Sequence, residues 1–113
     1  MRTAPNFFVV LVTCPSGRTA RALAEQLVKR RLAACVNIVP AVESIFRWKG
    51  TIDRCREALL VIKTGANRFE RLRRAVIELH PYEVPEVIAL PIVAGHHPYL
   101  DWVAGSLDTE RTH

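Results

Sequence analysis

The chain has 113 residues, 50% of them hydrophobic and 24% charged, with a net charge of +5. That is one domain's length, and such a chain buries only roughly two-thirds of its unfolded surface, so association with further copies is a natural source of stability. The apolar run Phe7 to Val12 is far short of the roughly 20 residues of a membrane span, and it lacks a secretory cleavage site, so the expected location is cytoplasmic.

Phe7-Phe-Val-Val-Leu-Val12 reads as a strand buried on both faces. Pro15-Ser-Gly17 stops it, and Ser16 is placed to cap a following helix. Ala20, Leu23, Ala24, Leu27, Val28 and Leu32 then recur at helical spacing, predicting an amphipathic helix that ends near Arg31 to Ala33. From Cys35 to Trp48 the residues favour a pleated surface, and Pro40 within that run marks an edge or a bulge. Lys49-Gly50 is a tight turn, after which the chain returns through Thr51 and Ile52 to the apolar stretch Ala58 to Ile62. The product is a hairpin whose arms run about a dozen residues, roughly twice the common strand length. Asn67 to Glu70 has the form of a capping box, and Phe69, Leu72, Val76 and Leu79 supply the next helical stripe. The connector His80-Pro-Tyr-Glu-Val-Pro85 cannot continue that helix. A last strand is expected across Val87 to Leu90 and on through Ile92 and Val93. A final helix begins at Pro98 and carries Tyr99, Leu100, Val103 and Leu107, with a polar, frayed tail after Asp108.

Two β-α-β units that share a hairpin predict an α+β, ferredoxin-like β-α-β-β-α-β sandwich with helices on one sheet face, strand order 4-1-3-2 and an appended C-terminal helix. The ordered core is expected over about residues 6–107 of a single domain spanning 1–113. The long arms overhang the sheet and expose ladder groups and side chains such as Phe46 and Trp48. Such an edge invites another strand; against this, Arg47, Lys49, Asp53 and Arg54 are charges that keep a hairpin solvated. Arg18, Arg21, Lys29, Arg30 and Arg31 lie on the first helix or at its end, and Arg68, Arg71, Arg73 and Arg74 on the second. They form either solvated helix faces or a surface for acidic ligands. No exposed aromatic RNA-binding pattern is present, so no nucleic-acid partner is expected, and no membrane partner either.

Several stretches together resemble the CutA-type divalent-cation tolerance proteins. They are Val12-Thr-Cys-Pro-Ser16, Leu32-Ala-Ala-Cys-Val-Asn-Ile38, Trp48-Lys-Gly-Thr-Ile52, Glu57-Ala-Leu-Leu-Val-Ile-Lys-Thr64, His80-Pro-Tyr-Glu-Val-Pro-Glu86 and Tyr99-Leu-Asp-Trp102. Their order and spacing cover nearly the whole chain. The resemblance implies a ferredoxin-like fold, a homotrimer joined through the long hairpins, and a role in tolerance of divalent metals, copper in particular. It implies no organic cofactor. The trimer also resembles the PII signalling proteins in fold, which leaves a small-ligand-binding signalling trimer as the alternative function.

Copper(II) favours imidazole and copper(I) favours thiolate. The candidates are Cys14, Cys35, Cys55, His80, His96, His97 and His113. The cysteines are odd in number and widely spaced, with no disulfide framework and no Cys-x-x-Cys zinc pattern. Topology brings Cys14 and His80 to one sheet edge, while Cys35, His96 and His97 fall at the other. His80 and Cys14 are therefore the metal-ligand candidates. The resemblance implies a histidine pair before the Pro-Tyr, where this chain has Leu79-His80, and a thiol aligned with Val12 rather than Cys14. Two residues along a strand shift that thiol by about 6–7 Å. His80 can instead serve as a helix-end histidine that balances the dipole and bonds the last carbonyls. Glu57, Lys63, His80, Tyr82, Glu83 and Glu86 are further polar groups in these motifs. They contain no nucleophile-base-orienter set and no Gly-rich phosphate loop, so the expectation is not an enzyme.

Overall fold

The computed structural model describes residues 6–108; the start of the chain, the polar tail expected to fray, and His113 lie outside the described residues. The elements run β1 (Phe7–Cys14), α1 (Gly17–Lys29), β2 (Cys35–Trp48), β3 (Thr51–Gly65), a 3-10 turn (Ala66–Arg68), α2 (Phe69–Leu79), β4 (Ile88–Pro91) and α3 (His97–Leu107). The four strands form one antiparallel sheet in the order β2-β3-β1-β4. This is the expected order, with the most apolar strands in the middle.

Val10↔Ile62 and Val12↔Leu60 pair across β1 and β3. They point with Cys14 and Ala58 into a core closed by Ala20, Leu23 and Leu27 of α1 and Leu72 and Val76 of α2. Each large aliphatic buried there contributes roughly 1.5–3 kcal/mol. The helices do not all share this face. Phe7, whose side chain alternates with that of Phe8, belongs to a second cluster with Ala34 and with Leu100, Val103 and Leu107 of α3.

The helix ends follow local chemistry. Ser16 Oγ accepts the Thr19 N–H at 3.2 Å, which caps α1. At the other end Arg31 takes a left-handed conformation (φ 58°). Its N–H bonds the Val28 carbonyl while that of Leu32 bonds Leu27. This is a Schellman stop, with arginine where glycine is usual. The capping box expected at Asn67 to Glu70 is not formed. The chain enters α2 through the 3-10 turn, so Arg68 takes the cap position without a side-chain bond. Glu70 turns instead to Arg73 and Arg74. The last strand is shorter than expected. It ends at Pro91, which has no N–H for the ladder, and Ile92 makes one further bond to the Phe7 carbonyl.

The hairpin turn is set by Lys49 (φ 51°) and Gly50 (φ 83°), two positive φ values that match the right-handed twist of the arms. Pro40 is accounted for twice over, because β2 is an edge strand and also carries a bulge. Val39 pairs with Leu59 and Val42 with Glu57, so Pro40 and Ala41 stand opposite the single residue Ala58. Beyond the bulge the even-numbered residues of β2 share a face with the odd-numbered residues of β3. Ser44 lies across from Cys55 and Phe46 from Asp53, on the face that carries Glu57.

Candidate functional site

His80 closes α2. Pro81 forces it into extended backbone, and its N–H still reaches the Val76 carbonyl at 2.8 Å. The imidazole is 7% exposed. Its Nδ1 accepts the Tyr82 N–H at 3.0 Å. The proton therefore sits on Nε2, which donates to the Thr13 carbonyl at 2.7 Å. The bonded carbonyl belongs to the end of β1 and not to the last turn of α2, so the expected helix-end bonding is replaced by a tie between two elements.

Cys14 shares this edge, as topology required, and is fully buried. Desolvation, with a smaller contribution from the Glu57 carboxylate, pushes its thiol up to about 11. Cys35 lies at the opposite edge, close enough to Tyr99 that burial and this thiol hold the phenol in its protonated form. His96 and His97 are exposed at the start of α3. The fit of a metal to the candidate pair is poor as the residues stand. Both imidazole nitrogens are engaged, and the thiol is buried and protonated. Among the described residues no three His, Cys, Asp or Glu side chains are grouped to hold an ion.

A different set of polar groups does converge. Glu57 is 8% exposed. Its Oε1 accepts the Ser44 hydroxyl at 2.6 Å and its Oε2 accepts the Tyr82 hydroxyl at 2.8 Å. Burial first, and then the bond to Glu57, drive the Tyr82 phenol well above its ordinary range. Burial, Glu57 and Asp53 likewise raise the Cys55 thiol. Asp53, Cys55, Glu57 and Tyr82 line a cleft of about 540 Å³. The bulged arm supplies Phe46 and Trp48, and the connector supplies Tyr82, Val84 and two further carboxylates, Glu83 and Glu86. Of the polar residues singled out in the sequence, Glu57 and Tyr82 are in contact and Glu83 and Glu86 join them at the cleft. Lys63 is elsewhere, bonded to Asn37. Ser44, Asp53 and Phe46 were not singled out as parts of a site. The one signal for them was Pro40, whose bulge turns Ser44, Phe46 and Trp48 toward Glu57.

Fold and cleft together define a ferredoxin-like α+β protein with an over-long hairpin, an open sheet edge and a cleft. The chain belongs to the CutA1 divalent ion tolerance protein family, which matches residues 8–106. It is 53% identical over 95 residues to the divalent-cation tolerance protein CutA of Thermus thermophilus, covering 84% of this chain and 92% of that protein. To the human protein CutA it is 49% identical over 92 residues, 81% of this chain but only 51% of that longer protein. A solved divalent cation tolerance protein from Thermus thermophilus superposes with a TM-score of 0.84 at 52% identity, covering 86% of this chain and 94% of that one. The CutA1 structure from Oryza sativa gives 0.90 at 42% identity, with 96% and 98% covered. The family and the fold are those the sequence motifs implied, and the divalent-cation tolerance reading stands with them.

Proposed function

We propose that this chain works in the cytoplasm as a homotrimeric divalent-cation tolerance protein that binds metal ions, copper among them, and that it is not an enzyme. The observation that carries the reading is the family match across the whole fold, residues 8–106. The hairpin supports self-assembly. Among the described residues the edge strand β2 has no partner on one side; it displays Ile45, Phe46 and Trp48, while Ile52 on β3 is 64% exposed. The opposite edge, β4, exposes Ile88 and Leu90. Two unlike open edges on one protomer favour head-to-tail contact, which builds a closed ring when the rotation between copies closes. A cytoplasmic setting agrees with three thiols that are all free.

His80 and Cys14 are the ligands we carry into this proposal. A metal ion there must take His80 Nε2 from the Thr13 carbonyl and the proton from Cys14, so affinity at this pair within one protomer is weak. Light scattering during size-exclusion chromatography tests the assembly. Three chains per particle is the expected result, and a monomer at micromolar concentration refutes it. Copper calorimetry on the wild type and on a His80→Asn, Cys14→Ala variant tests the ligands. Loss of the binding heat in the variant is expected, and unchanged affinity removes the pair from the site.

A further inference from the structure

The geometry points to the cleft between the hairpin tip and the connector as a binding site for a small organic cation, an alkylammonium or quaternary ammonium group. The cleft is acidic in a basic protein. The chain carries +5, yet no described lysine or arginine lines this cleft, and Asp53, Glu57, Glu83 and Glu86 all do. None of the four is in an ion pair with a described lysine, arginine or histidine. Glu57 is the sharpest case. It is more than nine-tenths buried, and the donors that meet it are all neutral: the hydroxyls of Ser44 and Tyr82 and the thiol of Cys55. Neutral donors bring no counter-ion, and a buried carboxylate charge is costly until one is supplied.

A metal ion needs its donor atoms within about 2.0–2.6 Å of one point. The four carboxylates are instead distributed along a strand and a connector, and no metal-holding group is found among the described residues. They surround a space of about 540 Å³, inside the range of roughly 300–1,000 Å³ typical of small-molecule sites.

Phe46, Trp48 and Tyr82 line the space, and Trp48 and Phe46 are 55% and 40% exposed. Aromatic faces attract cations within about 6 Å of the ring centroid. The Trp48 ring already has the Lys49 ammonium at 6.0 Å. Carboxylates that supply charge and rings that supply faces are the combination that recognises an ammonium group and repels an anion.

Trp48 is the reporter for the test. The chain has two tryptophans, and the other, Trp102, stacks on Tyr99 on α3. Trp102→Phe therefore leaves a single emitter in the cleft. The full-length protein, with EDTA present and ionic strength held constant, is titrated with choline chloride and, separately, with 3,3-dimethylbutan-1-ol, its uncharged isostere. The expected result is a saturable change in emission with choline, weakened by roughly tenfold or more for the alcohol. The Glu83→Gln, Glu86→Gln double variant alters only exposed side chains, and it should weaken choline by a similar factor. No saturable change, an equal response to the alcohol, or an isotherm unmoved by the double variant overturns the proposal. So does a response to magnesium or zinc chloride, without EDTA, where choline gives none. The readout needs no metal, so its failure is distinct from that of copper binding, and light scattering on the same sample separates it from failure of the trimer.

Discussion

His80→Leu keeps the volume at the end of α2 roughly constant and removes both ring nitrogens. It leaves the Thr13 carbonyl and the Tyr82 N–H without their partners, at sites that are part-buried. Each orphaned group costs about 1–2 kcal/mol at such sites, so the variant should lose about 2–4 kcal/mol. That is a large share of a total stability of about 5–15 kcal/mol. Two conservative variants divide the loss. Asparagine places an acceptor near the position of Nδ1, and glutamine places a donor near that of Nε2, so His80→Asn and His80→Gln should each recover part of it. Urea unfolding followed by circular dichroism, at one fixed protomer concentration so that the proposed assembly affects every variant alike, gives the four values. If leucine costs less than about 1 kcal/mol, or if all three variants fall together, His80 is not the two-bond tie between β1 and the connector.

Alkali should weaken the fold through Cys14. Its thiol is raised from 9.0 to about 11, so the folded state keeps a proton that the unfolded state releases. The stabilisation is whole below about pH 9 and is lost as pH rises through 11, a difference of about 3 kcal/mol. Tyr82, raised as well, adds loss of the same sign at higher pH. Urea midpoints taken between pH 8 and 11 should fall steeply in the wild type and less steeply in Cys14→Ala. Tyr82→Phe removes one of two hydroxyl bonds to Glu57 and should cost about 1.5 kcal/mol in the same unfolding assay, as hydrogen bonds to charged groups do. Gly50→Ala meets no atom within 4 Å, but it must hold φ near +83°. A loss of about 1 kcal/mol from backbone strain alone is expected, read as a lower melting temperature.

Much of the fold could be read because its signals are local. Six apolar residues in a row mark β1, the spacing of Ala20, Leu23, Ala24 and Leu27 marks α1, and Lys49-Gly50 marks the turn that fixes the register of both arms. Connectivity alone then orders the strands and brings Cys14 to the edge where α2 ends. What could not be read depends on contacts distant in sequence. His80 bonds a carbonyl 67 residues away, and Tyr82 reaches a carboxylate 25 residues away. No periodicity encodes either contact, because a two-proline connector has none. The start of α2 failed for a related reason. Asn67 and Glu70 have capping-box spacing, but a 3-10 turn moved the helix start past Asn67, and two arginines compete for Glu70.

The bulge at Pro40 and Ala41 links the long hairpin to the cleft. In a regular ladder continued from Val39↔Leu59, the residue opposite Glu57 would be Ala41. Phe46 and Trp48 would then alternate onto the face away from Glu57, because a one-residue slip in a strand exchanges its two faces. The extra residue reverses that alternation for the outer half of β2 only. The inner half can therefore keep Val36 and Ile38 against the core, while the outer half sets Ser44 against Glu57 and places Phe46 and Trp48 along the cleft wall. Proline suits the break, since an edge strand has one side on which no N–H is required. One irregular pair of residues thus lets a single strand serve the core at one end and build a cleft at the other. It also places that cleft beside the open edge of the sheet, so an event at either bears on the same fourteen-residue strand.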